Sequence, residues 1–369
     1  EKPMRNLTLV NTLLFILYLT SAAPACRAQS LSKNRIHLIS YFQTRYTSVF
    51  SENNSNYNIS LRRFKLIAKG KINSRFNFYT GIIYKTGNSS STDNNIYLLD
   101  AYLNYSFSKS LNLRMGQFKP PFGWERFVSD YKMPGTERSQ VIGRLIPNGA
   151  LGKSFVRDYG AQFFGKLSDH LKYEAALMAG NGANIKLTDT NFPMFTGRLS
   201  YTTKLSIPNP FNVTIQLACS RRKNININFS KQLPGSDQNI FSRFDGIDLR
   251  WNSALYLTNG KTDIAFEYIS SSFNPSAAGI DRLNARGWFL QLSQILLKNF
   301  QALIKYEKFD PDISTINKYD ATWITIGTNY LFNKKHGRLM LDFIHKMETK
   351  EPVSNDTIIL QFQYFLFGG

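Results

Sequence analysis

The chain has 369 residues, a formal net charge of +20, and an apolar share of 43% in which Phe and Tyr are abundant. Of the two cysteines, Cys26 lies in the N-terminal segment expected to be removed and Cys219 is left alone, and His37, His170, His336 and His345 are scattered, so neither a disulfide nor a zinc or other metal site is expected. No cofactor is expected, and a basic balance of this size points to nucleic acid, an anionic membrane surface, an anionic solute or nothing specific.

The N-terminal segment narrows that choice. Lys2 and Arg5 precede an apolar run of Leu7, Leu9, Val10 and Leu13 to Leu19, and small residues then lead to Ala28 and polar Gln29. This is the order of a cleavable secretory signal. Asn11 and Thr12 interrupt the run, which falls short of the roughly 20 apolar residues of a spanning helix. Residues 1–28 are therefore expected to be a signal peptide, with 1–3 as an upstream extension and Met4 as initiator. Cys26 follows Ala23-Pro24-Ala25, without the leucine of a lipid-anchoring signal, so an unlipidated mature chain of residues 29–369 is expected. Export argues against nucleic acid.

Beyond residue 29 the apolar residues recur with period two, in segments of about ten residues, the length at which a tilted strand crosses a bilayer. In 96–108, Tyr97, Leu99, Ala101, Leu103, Tyr105 and Phe107 share one face, and Asp100, Asn104 and Ser106 the other. Near the C-terminus Ile358, Leu360, Phe362, Tyr364 and Leu366 alternate with Gln361 and Gln363. About sixteen such strands are expected, near 36–47, 58–72, 74–86, 96–108, 111–118, 158–167, 171–180, 193–204, 210–222, 243–256, 261–271, 284–297, 299–309, 320–333, 337–347 and 356–367. Aromatics gather at segment ends, as interfacial girdles do. Breaks after even strands are tight (Asn73, Lys109-Ser110, Lys298-Asn299), whereas 48–57, 87–95, 223–242 and 272–283 are longer and polar. That alternation separates a barrel from a soluble sandwich, and the expected fold is all-β: a transmembrane antiparallel up-and-down barrel with both ends on the periplasmic side.

Residues 119–157 stand apart as a long third outer loop rich in Pro and Gly. Connections beyond about 12–15 residues are usually functional, and this one is expected to fold into the lumen and narrow it.

Several segments now bear comparison with a known family. Gly116-Gln117-Phe118-Lys119-Pro120-Pro121-Phe122-Gly123-Trp124-Glu125, Leu61-Arg62-Arg63-Phe64, Asp158-Tyr159-Gly160-Ala161-Gln162, Ala179-Gly180-Asn181-Gly182, Tyr306-Glu307-Lys308-Phe309-Asp310-Pro311 and Leu360-Gln361-Phe362-Gln363 together resemble, in order, the phosphate-selective porin O/P family. The resemblance spans nearly the whole mature chain. It implies a sixteen-stranded, trimeric outer-membrane porin, surrounded by lipid and lipopolysaccharide, whose pore favours small inorganic anions, in some members phosphate or polyphosphate. Lys305 stands where arginine is expected before Tyr-Glu, and the lysine cluster of the family's inward loop has no residue-by-residue counterpart here.

A passive pore needs fixed charges rather than a nucleophile or general base. In 58–72, Arg63, Lys65, Lys69 and Lys71 share a face opposite Phe64, Leu66 and Ala68. Because a cation on the lipid face costs roughly 2–4 kcal/mol near the midplane, that row is expected to form a ladder in the lumen, with Arg62 on the other face. From the long loop, Lys132, Arg126 and Lys153 are the candidate ion contacts, with Glu125–Arg126 and Glu137–Arg138 as expected structural pairs. Strand parity adds Arg75, Lys85, Arg114 and Lys305 to the lumen, Lys305 alternatively as a wall pair with Glu307. Cys219 alternates with lipid-facing Val213, Ile215 and Leu217. The expected function is passive diffusion of small anions. The alternatives are a general diffusion porin without phosphate selectivity or an outer-membrane barrel hydrolase, for which His345 is the one lipid-side candidate.

Overall fold

Period-two alternation gives every strand a greasy face and a wet face, and in lipid the only way to leave no backbone edge unpaired is to close the sheet. In the computed structural model, residues 36–51, 56–84, 96–146, 156–180, 182–184, 193–230, 233–236, 238–317, 319–333, 336–350 and 353–368 are described. The chain divides into two units, Glu1–His37 and Leu38–Gly369, and the second holds the barrel. The expected signal peptide lies outside the described residues.

The strands are β1 (Ile36–Val49), β2 (Asn56–Lys71), β3 (Phe76–Tyr84), β4 (Ile96–Ser106), β5 (Asn112–Phe118), β6 (Asp158–Lys166), β7 (Leu171–Met178) and β8 (Met194–Leu205). Then follow β9 (Phe211–Ile227), β10 (Phe244–Thr258), β11 (Thr262–Pro275), β12 (Leu283–Leu297), β13 (Phe300–Asp310), β14 (Ala321–Phe332), β15 (Gly337–Glu348) and β16 (Thr357–Phe367). They succeed one another in chain order round a closed antiparallel barrel, sealed where Thr44 of β1 lies opposite Phe362 of β16. The alternation places most strand ends closely. β9 and β11 run on past 222 and 271, because polar residues at their ends still pair: Lys223 lies opposite Ile247 and Asn274 opposite the same residue on the other side. Polarity there marks a wet face, and the strand continues.

Outward-facing Ile304, Leu339, Leu341 and Phe343 are exposed, while their inward neighbours Leu303, Lys305, Met340 and Asp342 are buried. The exposed set is the surface that lipid covers. Short turns follow the even strands, and a side-chain acceptor closes several of them. Asn73 Oδ1 accepts the N–H groups of Arg75 (2.9 Å) and Phe76 (2.8 Å). Ser168 Oγ does the same for His170 and Leu171 at 3.3 and 3.1 Å. Asn259 Oδ1 serves Lys261 and Thr262 at 3.0 and 2.7 Å. Asn and Ser are chosen here because a short side chain can satisfy a turn that water would otherwise have to fill.

Among the described residues, two connections turn inward. Residues 119–146, between β5 and β6, contain a 3-10 turn at Glu125–Phe127 and helix α1 (Gln140–Leu145). The β9–β10 connection contains helix α2 (Gln238–Phe241). Phe122, Val141, Ile142, Leu145 and Ile146 of the first pack with Phe229, Leu233 and Phe241 of the second, against Phe244, Ile269, Phe273, Phe289 and Phe309 of the wall. One side of the lumen is thereby filled with an apolar core. The second inward connection was not expected from its polar composition, although its apolar residues, Phe229, Leu233, Ile240 and Phe241, carry the signal.

Gly116, in the first of the family-like segments, has φ 128°, and a Cβ there would lie 2.2 Å from the Ala101 carbonyl oxygen of the neighbouring strand. Gly116→Ala is therefore expected to destabilise the barrel by about 1–3 kcal/mol or more, read as a lower temperature for the loss of the compact band on heat-modifiability gels.

Candidate functional site

The inward segment 119–146 is gripped by carboxylates on every second strand of the wall. Glu267 of β11 accepts the backbone N–H groups of Trp124 (2.9 Å) and Glu125 (2.8 Å), and Asn252 Nδ2 at 2.8 Å. Glu307 of β13 accepts the N–H of Gln140, the first residue of α1, at 3.0 Å. Asp342 of β15 accepts the Thr136 N–H (2.6 Å) and hydroxyl (2.7 Å). Buried backbone donors need acceptors, and these side chains supply them. From β15, Arg338 Nη1 donates to the Met133 carbonyl at 2.7 Å, and from β14, Asn329 donates to that of Pro134 at 2.8 Å.

On the opposite side a cleft of about 280 Å³ remains, bounded by β1–β4, β16 and the inward segment. Among the described residues, Arg62, Arg63, Lys65, Lys119, Arg126, Arg138 and Arg157 line it, against two carboxylates, Asp130 and Glu137. Ile83, Leu99, Met133, Ile142 and Ile146 supply apolar wall between the charges. Asp130 contacts Arg63 at 2.7 Å, Arg138 at 2.8 Å, and Lys65. Glu137 pairs with Arg45 and, at 3.4 Å, with Arg62. Arg157 pairs with Asp100 of β4 at 2.9 Å.

Burial alone would raise the Asp130 carboxyl, but Arg63, Lys65 and Arg138 outweigh it and hold it well below the usual carboxylate range. For Glu137 burial is likewise overcome, by Arg62 and Arg45, and the carboxyl is brought down to about 2. Lys119 shows the reverse. Burial, then Arg157, Arg126 and Arg138, push its ammonium well below the ordinary lysine value. Its Nζ donates to the Arg126 carbonyl at 2.8 Å. The cleft therefore holds more positive charge than its carboxylates balance, and both carboxylates stay ionised from neutral into mildly acid pH. A depressed carboxyl stabilises the fold above its ordinary value, and that contribution is lost only as pH falls through about 2 for Glu137. A depressed lysine loses its proton early as pH rises. Any anion preference of the pore is accordingly expected to be flat on the acid side and to decline on the alkaline side, below the ordinary lysine value of 10.5, as reversal potentials at a series of pH values would show.

The residues singled out by sequence separate into groups. Arg63, Lys65 and Arg126 line the cleft. Lys69 and Lys71 share their face but are exposed and outside the cleft, because Ile67 interrupts the row and packs with Ile39, Tyr41 and Phe365. Arg114 faces inward, donating to Asn104 at 2.8 Å with its guanidinium over the rings of Tyr102, Phe118 and Phe164. Arg75 is a correction: it sits in the β2–β3 turn, and its guanidinium reaches the Tyr105 hydroxyl (3.1 Å) beside exposed Phe76 and Phe107. Parity fails there because the strand has already ended. Lys132 is exposed, near the Tyr131 ring, and does not line the cleft, since the loop turns at this point. Lys305 is buried, 3.4 Å from Glu307 and 3.2 Å from the Glu137 carbonyl, so it braces the loop from the wall. Lys85 and Lys153 lie outside the described residues.

Arg62 is a second departure from alternation. It enters the cleft beside Arg63, drawn to Glu137. Leu99 also turns inward, where the β3–β4 register shifts between Gly81 and Ile82. The pairs expected between sequence neighbours do not form: Arg138 goes to Asp130, and Glu125 accepts the N–H and hydroxyl of Ser139, both at 3.0 Å. Lys119, Arg138 and Arg157 were not singled out as ion contacts. No spacing marks them, because a folded loop rather than a strand brings them together. His345 faces outward, as expected, with Asp356 as its partner at 2.9 Å, and no serine hydroxyl bonds it among the described residues. Cys219 is half-buried.

Three of the six family-like segments reach this cleft, through Arg62 and Arg63, Lys119 and Gln361, and others brace the surrounding wall. Gln361 accepts from Arg45 at 2.7 Å and Gln363 from Gln43 at 2.6 Å. Asp158 accepts the N–H groups of Gly180 (2.6 Å) and Gly182 (3.3 Å), tying two of the segments together. Gly123, with φ 79°, leaves room for the Glu267 carboxylate.

The comparisons agree with that geometry. The chain superposes on an anion-selective porin from Comamonas acidovorans with a TM-score of 0.63 at 12% identity, covering 90% of this chain and 99% of that one. It also superposes on Salmonella typhi OmpF in complex with daunomycin (TM-score 0.62, 11% identity, 90% and 98% covered). A third likeness is to the trimer form of OmpT, an outer membrane protein of Vibrio cholerae (0.57, 12%, 90% and 100%). These likenesses establish a porin-type transmembrane barrel. No curated protein matches the sequence. The profile of the family described as phosphate-selective porin O and P matches residues 37–191, which hold β1–β7 and the inward loop. Over residues 37–191, then, the chain is similar to the phosphate-selective porin O and P family, within a barrel whose fold is porin-like throughout.

Proposed function

We propose that the mature chain, residues 29–369 after removal of a signal at 1–28, is an outer-membrane channel through which small inorganic anions diffuse. The observation that carries this reading is the charge of the cleft: seven cations against two carboxylates around about 280 Å³. An ion entering such a space loses hydration water, and fixed cations repay that loss for an anion and oppose a cation. The apolar wall between them keeps the local dielectric low, so the field is focused where the passage is tightest. Segment 119–157 is the constriction, with Lys119, Arg126, Arg138 and Arg157 meeting Arg62, Arg63 and Lys65. Lys69, Lys71 and Arg114 extend the positive lining beyond it.

Phosphate or polyphosphate is the finer reading, supported by the family match and by guanidinium forks suited to oxyanions. Three copies forming a trimer, with lipid and lipopolysaccharide around them, complete the proposal, in keeping with the trimer form of the similar OmpT. A planar bilayer containing the purified chain tests it. In a potassium chloride gradient the reversal potential should have the sign of anion flow, and inorganic phosphate should inhibit the chloride current. A cation-signed or zero reversal potential would sink the reading. Chloride and phosphate conductances that simply add would leave a general anion pore without phosphate preference.

A further inference from the structure

The outward face of β9 carries charge that a lipid-facing wall has no use for. Along this strand Gln216, Ala218, Ser220, Arg222 and Asn224 are buried on the lumen side, so Leu217, Cys219, Arg221 and Lys223 point outward. A cation on the lipid face is costly at the midplane and tolerated at the headgroup level. Arg221 and Lys223 lie toward the end of β9 that leads into the long β9–β10 connection, and the longer connections mark the outer mouth. The pair therefore stands at the outer boundary of the membrane. The acids of the adjoining strand are engaged elsewhere: Asp245 accepts the Asn226 N–H at 2.6 Å, and Asp248 is turned inward to Arg250. Arg286, which also faces outward, lies 3.5 Å from Asp310.

Two recesses adjoin on this face. The upper one, of about 450 Å³, is bounded by Phe195, Arg221, Lys223 and Ile247. The lower one, of about 640 Å³, takes in Phe195, Gly197, Leu217, Cys219, Trp251 and Tyr268. Phe195 belongs to both, so cations at the headgroup end lead straight into an apolar groove. The register explains its shape. Gly197 lies opposite Cys219, and these small residues form a floor between the large, exposed side chains of Phe195, Leu217 and Trp251. From Arg221 to Leu217 the strand covers roughly 13 Å, and the hydrocarbon of one leaflet is about 15 Å deep.

We propose that this face of β8–β10 is a docking site for lipopolysaccharide. Arg221 and Lys223 hold a phosphate of its lipid anchor, and one acyl chain lies in the groove between Phe195, Leu217 and Trp251. The guanidinium fork takes two phosphate oxygens and the ammonium acts as a point charge beside it. The chain gains close contacts on both sides that a smooth wall would not offer. Dissolved phosphate would use the cations and leave the groove unfilled, whereas a phosphorylated lipid of the outer leaflet matches both recesses at once. The site presupposes the outer-membrane reading above and is independent of the anion preference of the pore.

The test titrates the folded full chain in detergent with deep-rough lipopolysaccharide and follows binding by native mass spectrometry. Arg221→Gln combined with Lys223→Gln should weaken binding by about ten-fold or more, the size expected for two basic side chains at a membrane surface. Gly197→Leu should also weaken it with every charge intact, because the added side chain fills the groove. A Cβ at Gly197 meets the Phe195 ring at 3.6 Å, an ordinary contact, so the strand accepts the change. Arg286→Gln should bind as wild type does. Wild-type affinity in either the glutamine double variant or Gly197→Leu overturns the site. So does phosphatidylglycerol binding as tightly as lipopolysaccharide. Labelling of Cys219 by a lipid-soluble maleimide should slow when lipopolysaccharide is bound. Slow labelling of lipid-free protein that quickens on dissociation into single chains would put a second copy in the groove and overturn the lipid assignment. A barrel that still conducts keeps the channel reading through all of these failures, whereas a chain that never inserts into a bilayer removes both.

Discussion

Replacing Arg63 and Lys65 together with glutamate is expected to abolish the anion preference of the pore, bringing the reversal potential in a salt gradient to zero or past it. The double change takes the cleft from seven cations against two carboxylates to five against four. The new carboxylates face Asp130, so repulsion in a space of low dielectric adds to the lost attraction. Lys69→Glu is the informative contrast. Parity alone puts Lys69 in the same ladder and assigns it an equal effect. The structure sets it apart, exposed and beyond Ile67, and a reversal potential close to wild type is expected. Arg63→Gln with Lys65→Gln should give a smaller shift of the same sign, separating the effect of charge from any displacement of the loop. An unchanged reversal potential in the double glutamate variant would show that the current does not pass this cleft.

Glu267→Ala should loosen the constriction. The carboxylate accepts the N–H groups of Trp124 and Glu125 and the side chain of Asn252, and it is fully buried. Removing it leaves those donors without an acceptor, and each buried orphan costs about 1–3 kcal/mol. Local opening of the loop should become easier by about 2–5 kcal/mol, read as faster amide exchange at Trp124 and Glu125. Single-channel conductance should become larger and noisier as the loop leaves its seat. The barrel wall does not depend on Glu267 for its ladder, so heat-modifiability should survive. Glu267→Gln, which keeps one acceptor oxygen, should fall between the two. Equal exchange rates and a wild-type conductance would mean that the apolar core alone holds the loop.

Much of the wall was legible in the sequence because a barrel strand obeys one rule: lipid on one face, water on the other. The rule gave the strand number, the alternation of short and long connections, and the inward direction of Arg63, Lys65 and Arg114. It failed where the chain leaves the pleat. Arg62 and Leu99 turn inward against parity, and Arg75 lies past the end of its strand. The cleft was only half legible for a related reason. Lys119, Arg138 and Arg157 belong to irregular backbone, and its stretch from Trp124 to Gln140 is held by Glu267, Glu307 and Asp342 on strands far away in sequence. In the sequence those three acids look like ordinary wet-face residues of a barrel wall. Nothing local marks them as the acceptors of a loop.

The greasy packing inside the barrel also bears on what sieves the solute. With the β9–β13 side occupied by aromatic and aliphatic side chains, the cleft lies off-axis along the β1–β4 wall. Strand number sets the girth of the cylinder, but the aperture is set by how the plug of side chains sits. Such a brace answers to brine differently from a brace of ion pairs. Added electrolyte screens charge pairs over about 10 Å at 0.1 M, whereas apolar contacts hold or tighten in many salts. The bore should therefore keep its shape as the surrounding water turns from fresh to saline, even while the pull it exerts on ions fades.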